Sequence, residues 1–281
     1  MKTSISVLGL GLMGRPMAQV LTAAGYAVWG WNRSSLSADL VAGIRLCRGL
    51  EEAAQVDVCL LMLADSDATD AVLSGLEPHL RSGRLVIDMG SSDPSRSKKH
   101  AGRLARKAIG WVDAPVSGGP EGAKAATLAI MAGGSEQDVA RAMPILQTLG
   151  RVVRVGNAGA GHTVKAINQL IVGLTIEAVA EALTLAEKCG IDPRLVQQAV
   201  RGGFADSKIL QIHGTRMIER AYIPGGKVKA QLKDLRLALD LATSAGLRLP
   251  HLASAAELYD ALVARGDGDL DHSALHKLLW S

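Results

Sequence analysis

Three groups of residues in this chain have types and spacings that could do chemistry together. Gly9, Gly11 and Gly14 form a G-x-G-x-x-G turn, with Leu12 and Met13 between its last two glycines. The turn joins an apolar run at 5–8 to a stretch of helical periodicity at 15–24. Gly25 then leads into a second apolar run at 27–31. A strand, glycine turn, helix and strand within about thirty residues is the context in which this motif binds a dinucleotide. The first glycine permits a tight turn, and the second lets the backbone approach a pyrophosphate. The third lets helix and strand pack closely, which leaves the phosphates on the helix N-terminus. A glycine turn with no ligand is the competing reading.

The end of the second strand bears on which dinucleotide. An acid there bonds the ribose 2′-hydroxyl of NAD, but this chain has Asn32, Arg33 and Ser34. A guanidinium clasps a 2′-phosphate through charge-assisted hydrogen bonds, whereas a carboxylate repels it. NADP is the expected cofactor, with NAD possible. A solvated loop arginine is the alternative.

Two further groups lie later in the chain. Ser117 supplies a hydroxyl beside Gly118 and Gly119, whose N–H groups no side chain obstructs; such a nest suits a carboxylate. Chain geometry alone could also require those glycines. Lys165, Asn168 and Gln169 share one face of a long helical stretch that continues with Val172 and Ile176. Burying a lysine beside two amides is costly unless it meets a partner. Desolvation suits a lysine to acid/base work. Taken by itself, a solvated surface lysine is the simpler reading.

The elements that must position these groups fall into two patterns. Apolar runs at 56–63, 84–90, 127–134 and 151–156 and the segment GWVDAPVSGG alternate with helical stretches, which predicts a mainly parallel, doubly wound sheet of Rossmann type. Asp65-Ser66-Asp67 and Ser91-Ser92-Asp93-Pro94 read as helix starts. Ligands in such sheets bind beyond the carboxyl ends of the strands. The rhythm changes near Gly159. A helix from 162 to about 189, closed by Gly190, is followed by helical stretches at 193–201, 209–220, 230–245 and 252–265 and a short one after His272. The expected organisation is a Rossmann domain at 1–160 and an all-helical domain at 161–281, with the long helix leaving the cleft between them.

Composition agrees with a globular protein. Of 281 residues, 48% are hydrophobic, yet there are only one Phe, three Tyr and four Trp, so packing must be aliphatic. The net charge of +4 is interspersed, which suits an anionic ligand but gives no nucleic-acid footprint. Cys47, Cys59 and Cys189 are too widely spaced to indicate a disulfide framework or a zinc site, and no metal is expected. The chain shows no signal-peptide pattern, and the apolar stretch 167–180 is interrupted by Asn168, Gln169, Thr175 and Glu177. A cytoplasmic enzyme without a membrane segment is the expectation.

GLGLMGRPMAQVL at the N-terminus, DAPVSGG at 113–119, GAGHTVKAINQ at 159–169 and KDL at 233–235 occur together and in order. With these four motifs the chain resembles the β-hydroxyacid dehydrogenases, the group that includes 3-hydroxyisobutyrate dehydrogenase and tartronate semialdehyde reductase. The likeness spans essentially the whole sequence. It implies that Lys165 is the general acid/base, that Ser117, Gly118 and Gly119 hold a substrate carboxylate, and that Asn168 or Gln169 positions the substrate. It further implies that Met62, Leu63 and Ser91 flank the nicotinamide ribose, that Lys233 lies near cofactor and active site, and that the protein is a homodimer or homotetramer.

The chain departs from that pattern in places. Many relatives have asparagine four residues after the lysine, where this chain has Gln169; the KxxNQ arrangement is similar to the tartronate semialdehyde reductases. Gly226 replaces a common phenylalanine, and Lys229 and Gln231 stand where several members have Asp and His. The loop 202–207 is another candidate pocket wall, although Phe204 also reads as ordinary core packing. The implied reaction is reversible hydride transfer between NADP and a small β-hydroxy carboxylate or its semialdehyde. A β-hydroxy-α-amino acid such as D-threonine is the alternative substrate, with Asp206 or Gln231 receiving its ammonium. Lys165 argues against an imine reductase and against a non-catalytic NADP-binding protein on the same fold.

Overall fold

The computed structural model describes residues 3–37, 41 and 43–279. They divide into two compact units, Met1–Lys165 and Ala166–Ser281.

In the first unit, β1 (Ser4–Leu8), β2 (Ala27–Trp31), β3 (Arg45–Leu46), β4 (Val58–Leu61), β5 (Leu85–Asp88), β6 (Gly110–Asp113), β7 (Val116–Ser117), β8 (Leu128–Gly134) and β9 (Gly150–Gly156) form one sheet. Strands β3-β2-β1-β4-β5-β6 are neighbours in that order and all parallel. β8 then runs antiparallel to β6, and β9 pairs with it in parallel. β6 and β7 are effectively one strand broken at Ala114-Pro115, since both lie along β8 in continuing register. Proline is tolerated there because it lacks only the donor, and its carbonyl still accepts from Met131 N at 3.1 Å.

Side chains alternate across the sheet, as a period of two requires. Val58 and Leu60 join Ile5, Val7, Leu85 and Ile87 on one face, against α1 (Gly14–Ala23), α5 (Gly119–Lys124) and α6 (Glu136–Leu149). Cys59 and Leu61 join Leu8, Val86 and Trp111 on the other, against α2 (Leu50–Ala53), α3 (Ser66–Leu76) and α4 (Pro94–Ala105). Both faces are buried, which is why these strands read as unbroken apolar runs rather than alternating ones. The two helix starts expected from polar clusters are real. Asp65 accepts from Ala68 N and caps α3, and Asp93 accepts from Ser95 N and caps α4. The short β3 and α2 gave no periodic signal in the sequence.

The helix α7 (Ala160–Lys188) opens within the first unit and supplies the second with its longest element. By length and composition it could cross a membrane, but Ile176, Val179, Ala180 and Leu183 are core residues of the second unit. The other helices are α8 (Pro193–Ala199), α9 (Thr215–Ile218), α10 (Val228–Ser244) and α11 (Pro250–Ala264), with a 3-10 turn at 272–278. The helix expected over 209–220 is present over 208–218, with a π segment at 210–214 continued by α9. Gln197 Nε2 donates to Leu210 O at 2.8 Å and to Gln211 O at 3.3 Å, two carbonyls of that π segment. Phe204 is fully exposed, so it is not a core residue.

Candidate active site

Parallel strands place their C-terminal loops along one edge of a sheet. β2, β1, β4, β5 and β6 are consecutive neighbours, so the loops after them line up there. The loops after β2, β1, β4 and β5 carry Asn32–Arg33–Ser34, the glycine turn, Met62–Leu63 and Ser91 respectively, while β6 continues through β7, which ends at Ser117 before Gly118 and Gly119.

The glycine turn has the form its spacing predicts. Gly9 has φ +102°, and a Cβ there would meet Met62 O at 2.3 Å; a Cβ on Gly14 would meet Gly9 O at 1.9 Å. Both must therefore be glycine for packing reasons. Gly11 differs: a Cβ there would meet nothing within 4 Å, and the residue is exposed. Open space over Gly11, together with an α1 N-terminus that no side chain caps, fits a pyrophosphate. Leu12 is half-exposed, while Met13 and Met62 pack against the core of that sheet face.

Asn32 is occupied structurally. Its Oδ1 accepts from Leu10 N at 3.0 Å and its Nδ2 donates to Ser34 O at 2.9 Å, which ties the end of β2 to the glycine turn. Arg33 and Ser34 are exposed beside it. Leu63 backs the next loop, because a Cβ on Gly90 would meet Leu63 O at 2.8 Å. Asp88 orders that loop in turn. It accepts from Gly90 N at 3.0 Å and from Ser92 Oγ at 3.2 Å, either side of half-buried Ser91. At the carboxyl end of β7, Gly118 and Gly119 have φ +138° and +66°, so backbone geometry alone already requires glycine at both. Ser117 is half-buried beside them.

Lys165 is fixed relative to this edge by its own helix. Fully buried Asp113, the last residue of β6, accepts from Gly159 N at 2.7 Å with Oδ1 and from His162 N at 3.1 Å with Oδ2. It thereby caps α7. The approach is close, since a Cβ on Gly161 would meet both Asp113 O and Met131 O at 2.4 Å. His162, 1% exposed, holds its Nε2 3.7 Å from Asp88 Oδ2. Burial raises the Asp113 carboxyl above the usual range, against the opposing pull of His162 and the two N–H groups. Half-buried Lys165 follows His162 by three residues, a rise of about 4.5 Å along α7.

The same helix carries Asn168 and Gln169, both half-buried and both in the second unit. Asn168 Nδ2 donates to Gln169 Oε1 at 2.8 Å, and Gln169 Nε2 donates to Oε1 of buried Gln231 on α10 at 2.9 Å. Lys233, two residues on, has its Nζ 3.1 Å from Asp234 Oδ1. Asp206 is taken up by its own loop, accepting from Gly202 N at 2.9 Å and from Gln211 Nε2. The sequence reading did not single out Asp88, Asp113 or His162. The available signal was an acid closing an apolar strand run in VID and WVD, since a buried carboxylate must have partners.

One group with metal-type ligands, unforeseen from sequence, is His213, Asp271 and His272, whose ligand atoms lie within 4.8 Å of one another. Asp271 there accepts from Arg216 Nη1 at 2.7 Å, Gly225 N at 2.9 Å and Ser273 Oγ at 2.6 Å. Those bonds pin the segment before α10 to the last turn. Burial pushes its carboxyl up, but His213, His272 and these donors outweigh that and hold it well below the usual range.

Residues 4–159 match the family model for the NAD binding domain of 6-phosphogluconate dehydrogenase, and residues 159–279 match that described as NAD-binding of NADP-dependent 3-hydroxyisobutyrate dehydrogenase. The 2-hydroxy-3-oxopropionate reductase of Escherichia coli K12 is 40% identical over 98% of this chain and 96% of its own. The 2-(hydroxymethyl)glutarate dehydrogenase of Eubacterium barkeri is 34% identical over 98% and 94%. Among solved structures, 3-hydroxyisobutyrate dehydrogenase of Mycobacterium tuberculosis with L-serine superposes with a TM-score of 0.88 at 31% identity, covering 100% of both chains. With a nicotinamide-dinucleotide domain, a helical second unit and full-length likeness to these enzymes, the chain belongs to the β-hydroxyacid dehydrogenases, oxidoreductases that act on a CH–OH group.

Proposed function

We propose that this protein is an NADP-dependent dehydrogenase that interconverts a small β-hydroxy carboxylate and its semialdehyde, with the glycerate/tartronate semialdehyde pair as the first candidate. The observation that carries the reading is the pinning of α7 by Asp113, which ties Lys165 to the sheet edge bearing the glycine turn. The 40% identity to a 2-hydroxy-3-oxopropionate reductase supports the choice of substrate. When bound, the nicotinamide supplies the hydride acceptor or donor.

The protein's own residues do the rest. Ser117 Oγ and the N–H groups of Gly118 and Gly119 bond the carboxylate and so fix the distance at which the reacting carbon is held. On oxidation, Lys165 Nζ takes the hydroxyl proton as the C–H electron pair leaves with the hydride; on reduction it returns that proton to the new hydroxyl oxygen. As an ammonium it also stabilises charge developing on that oxygen. Arg33 bonds the 2′-phosphate, and Lys233 serves the cofactor side of the site. Exposed Ile167, Ile171, Leu185, Ile191 and Leu195 give the helical unit an apolar surface that supports a homo-oligomer.

A β-hydroxy-α-amino acid is the second reading, favoured by the L-serine named with the Mycobacterium tuberculosis structure. Both readings share one test. Lys165→Ala should lower kcat by at least a hundredfold while NADPH, followed by its fluorescence, binds as in the wild type. Activity within threefold of wild type would remove Lys165 from the mechanism.

A further inference from the structure

The amide cluster of the second unit has a direction, and one end of it is set by the backbone. Gln231, 1% exposed, donates from Nε2 to the main-chain carbonyl of Gln169 at 2.9 Å. A carbonyl can only accept, so the Gln231 nitrogen must lie there and its oxygen must lie opposite. That oxygen accepts from Gln169 Nε2 at 2.9 Å, which turns Gln169 Oε1 toward Asn168 Nδ2 at 2.8 Å. Reversing any one amide would set two NH₂ groups or two oxygens against each other. The chain therefore ends in Asn168 Oδ1, a hydrogen-bond acceptor. Gly173, the interior glycine of α7, makes room for this: a Cβ there would meet Gln231 Nε2 at 2.9 Å and Leu235 Cδ2 at 2.8 Å.

We infer that Gln231 is a positioning residue that orients this amide chain so that Asn168 presents its oxygen to the C2 substituent of the substrate, selecting a hydroxyl or ammonium there over a methyl. The inference rests on the reading of the protein as a β-hydroxyacid dehydrogenase with Lys165 at C3, one helical turn before Asn168. An oxygen held in place can accept from O–H or N–H, whereas a methyl leaves it unpaired. A site built for a hydrogen bond rejects an analogue lacking the donor far more strongly than an apolar pocket rejects a hydroxyl. Gln231 itself need not touch the substrate.

The test uses three 3-hydroxypropanoates that differ only at C2: glycerate with hydroxyl, serine with ammonium and 3-hydroxyisobutyrate with methyl. Oxidation of each by the full-length protein with NADP gives a kcat/KM. The wild type should favour glycerate or serine over 3-hydroxyisobutyrate by at least tenfold, and the better of the two identifies the donor. Gln231→Leu frees the chain and should bring that ratio to within threefold of unity, mainly through KM of the favoured substrate. A merely structural role would lower all three substrates in parallel, and that result would overturn the inference. So would a wild type that prefers the methyl compound. Should Gln231→Leu fail to fold by circular dichroism, Asn168→Leu carries the test, with the same collapse expected and an intact ratio refuting the proposal. A wild type that binds NADPH but oxidises none of the three refutes the functional reading and this inference with it, whereas turnover with an unaltered ratio in the variants refutes the inference alone.

Discussion

Gly11→Ala separates the architecture of the glycine turn from its role toward a cofactor. The added methyl meets no atom within 4 Å, and the residue lies outside the left-handed region, so the folded chain accepts alanine without strain. Removing a glycine from an unstrained position restricts the unfolded chain and stabilises by about 0.4–1 kcal/mol. The same methyl occupies the space into which a pyrophosphate must come. Losing one backbone hydrogen bond to a charged oxygen costs about 1.5–3 kcal/mol, or roughly ten- to a hundredfold in Kd. Urea unfolding should therefore find the variant at least as stable as the wild type, while titration of NADPH fluorescence finds it a much poorer binder. Gly14→Ala is the contrast. Its methyl would lie 1.9 Å from the Gly9 carbonyl oxygen, so it should lose stability and binding together. If Gly11→Ala folds normally and binds NADPH with unchanged Kd, the cradle is not where the phosphates lie and the reasoning fails.

Two further substitutions test the parts on either side of the turn. Arg33→Ala should raise the Kd for NADPH about tenfold or more and that for NADH less than threefold, since only the first carries a 2′-phosphate; equal losses would show that Arg33 does not read it. Asp113→Ala leaves the N–H groups of Gly159 and His162 buried without their acceptor, which should cost about 2–4 kcal/mol in urea unfolding. A loss under about 0.5 kcal/mol would mean that α7 is held by other contacts.

What the sequence made legible follows from which forces are local. Strands buried on both faces read as apolar runs, and the 27–31 run coincides with β2. Asp65 and Asp93 cap helices that begin one residue later, a relation contained within four residues of chain. Elements fixed from afar were not legible. The strand β3 is two residues long and exists through its pairing with β2. The π segment at 210–214 has its Leu210 carbonyl bonded by Gln197, thirteen residues earlier. Phe204 is apolar in type, yet its loop is closed by Asp206 and leaves the ring in solvent.

The candidate site divides along the same line. Lys165 was recognisable as a lysine on a helical face, but what ties the start of its helix to the sheet edge is Asp113, forty-six positions before the Gly159 amide it meets. Helical spacing could not separate Asn168 from Gln169, because both sit about one turn beyond the lysine. The distinction comes from Gln231, sixty-two positions later, which accepts from one of these amides and donates to its backbone carbonyl. Gln169 is thereby committed on both sides, and Asn168 becomes the amide whose oxygen faces outward from the chain. An identity visible on one helix thus acquires its chemistry from a second, and the residue to examine for specificity is the buried glutamine rather than the amides beside the lysine.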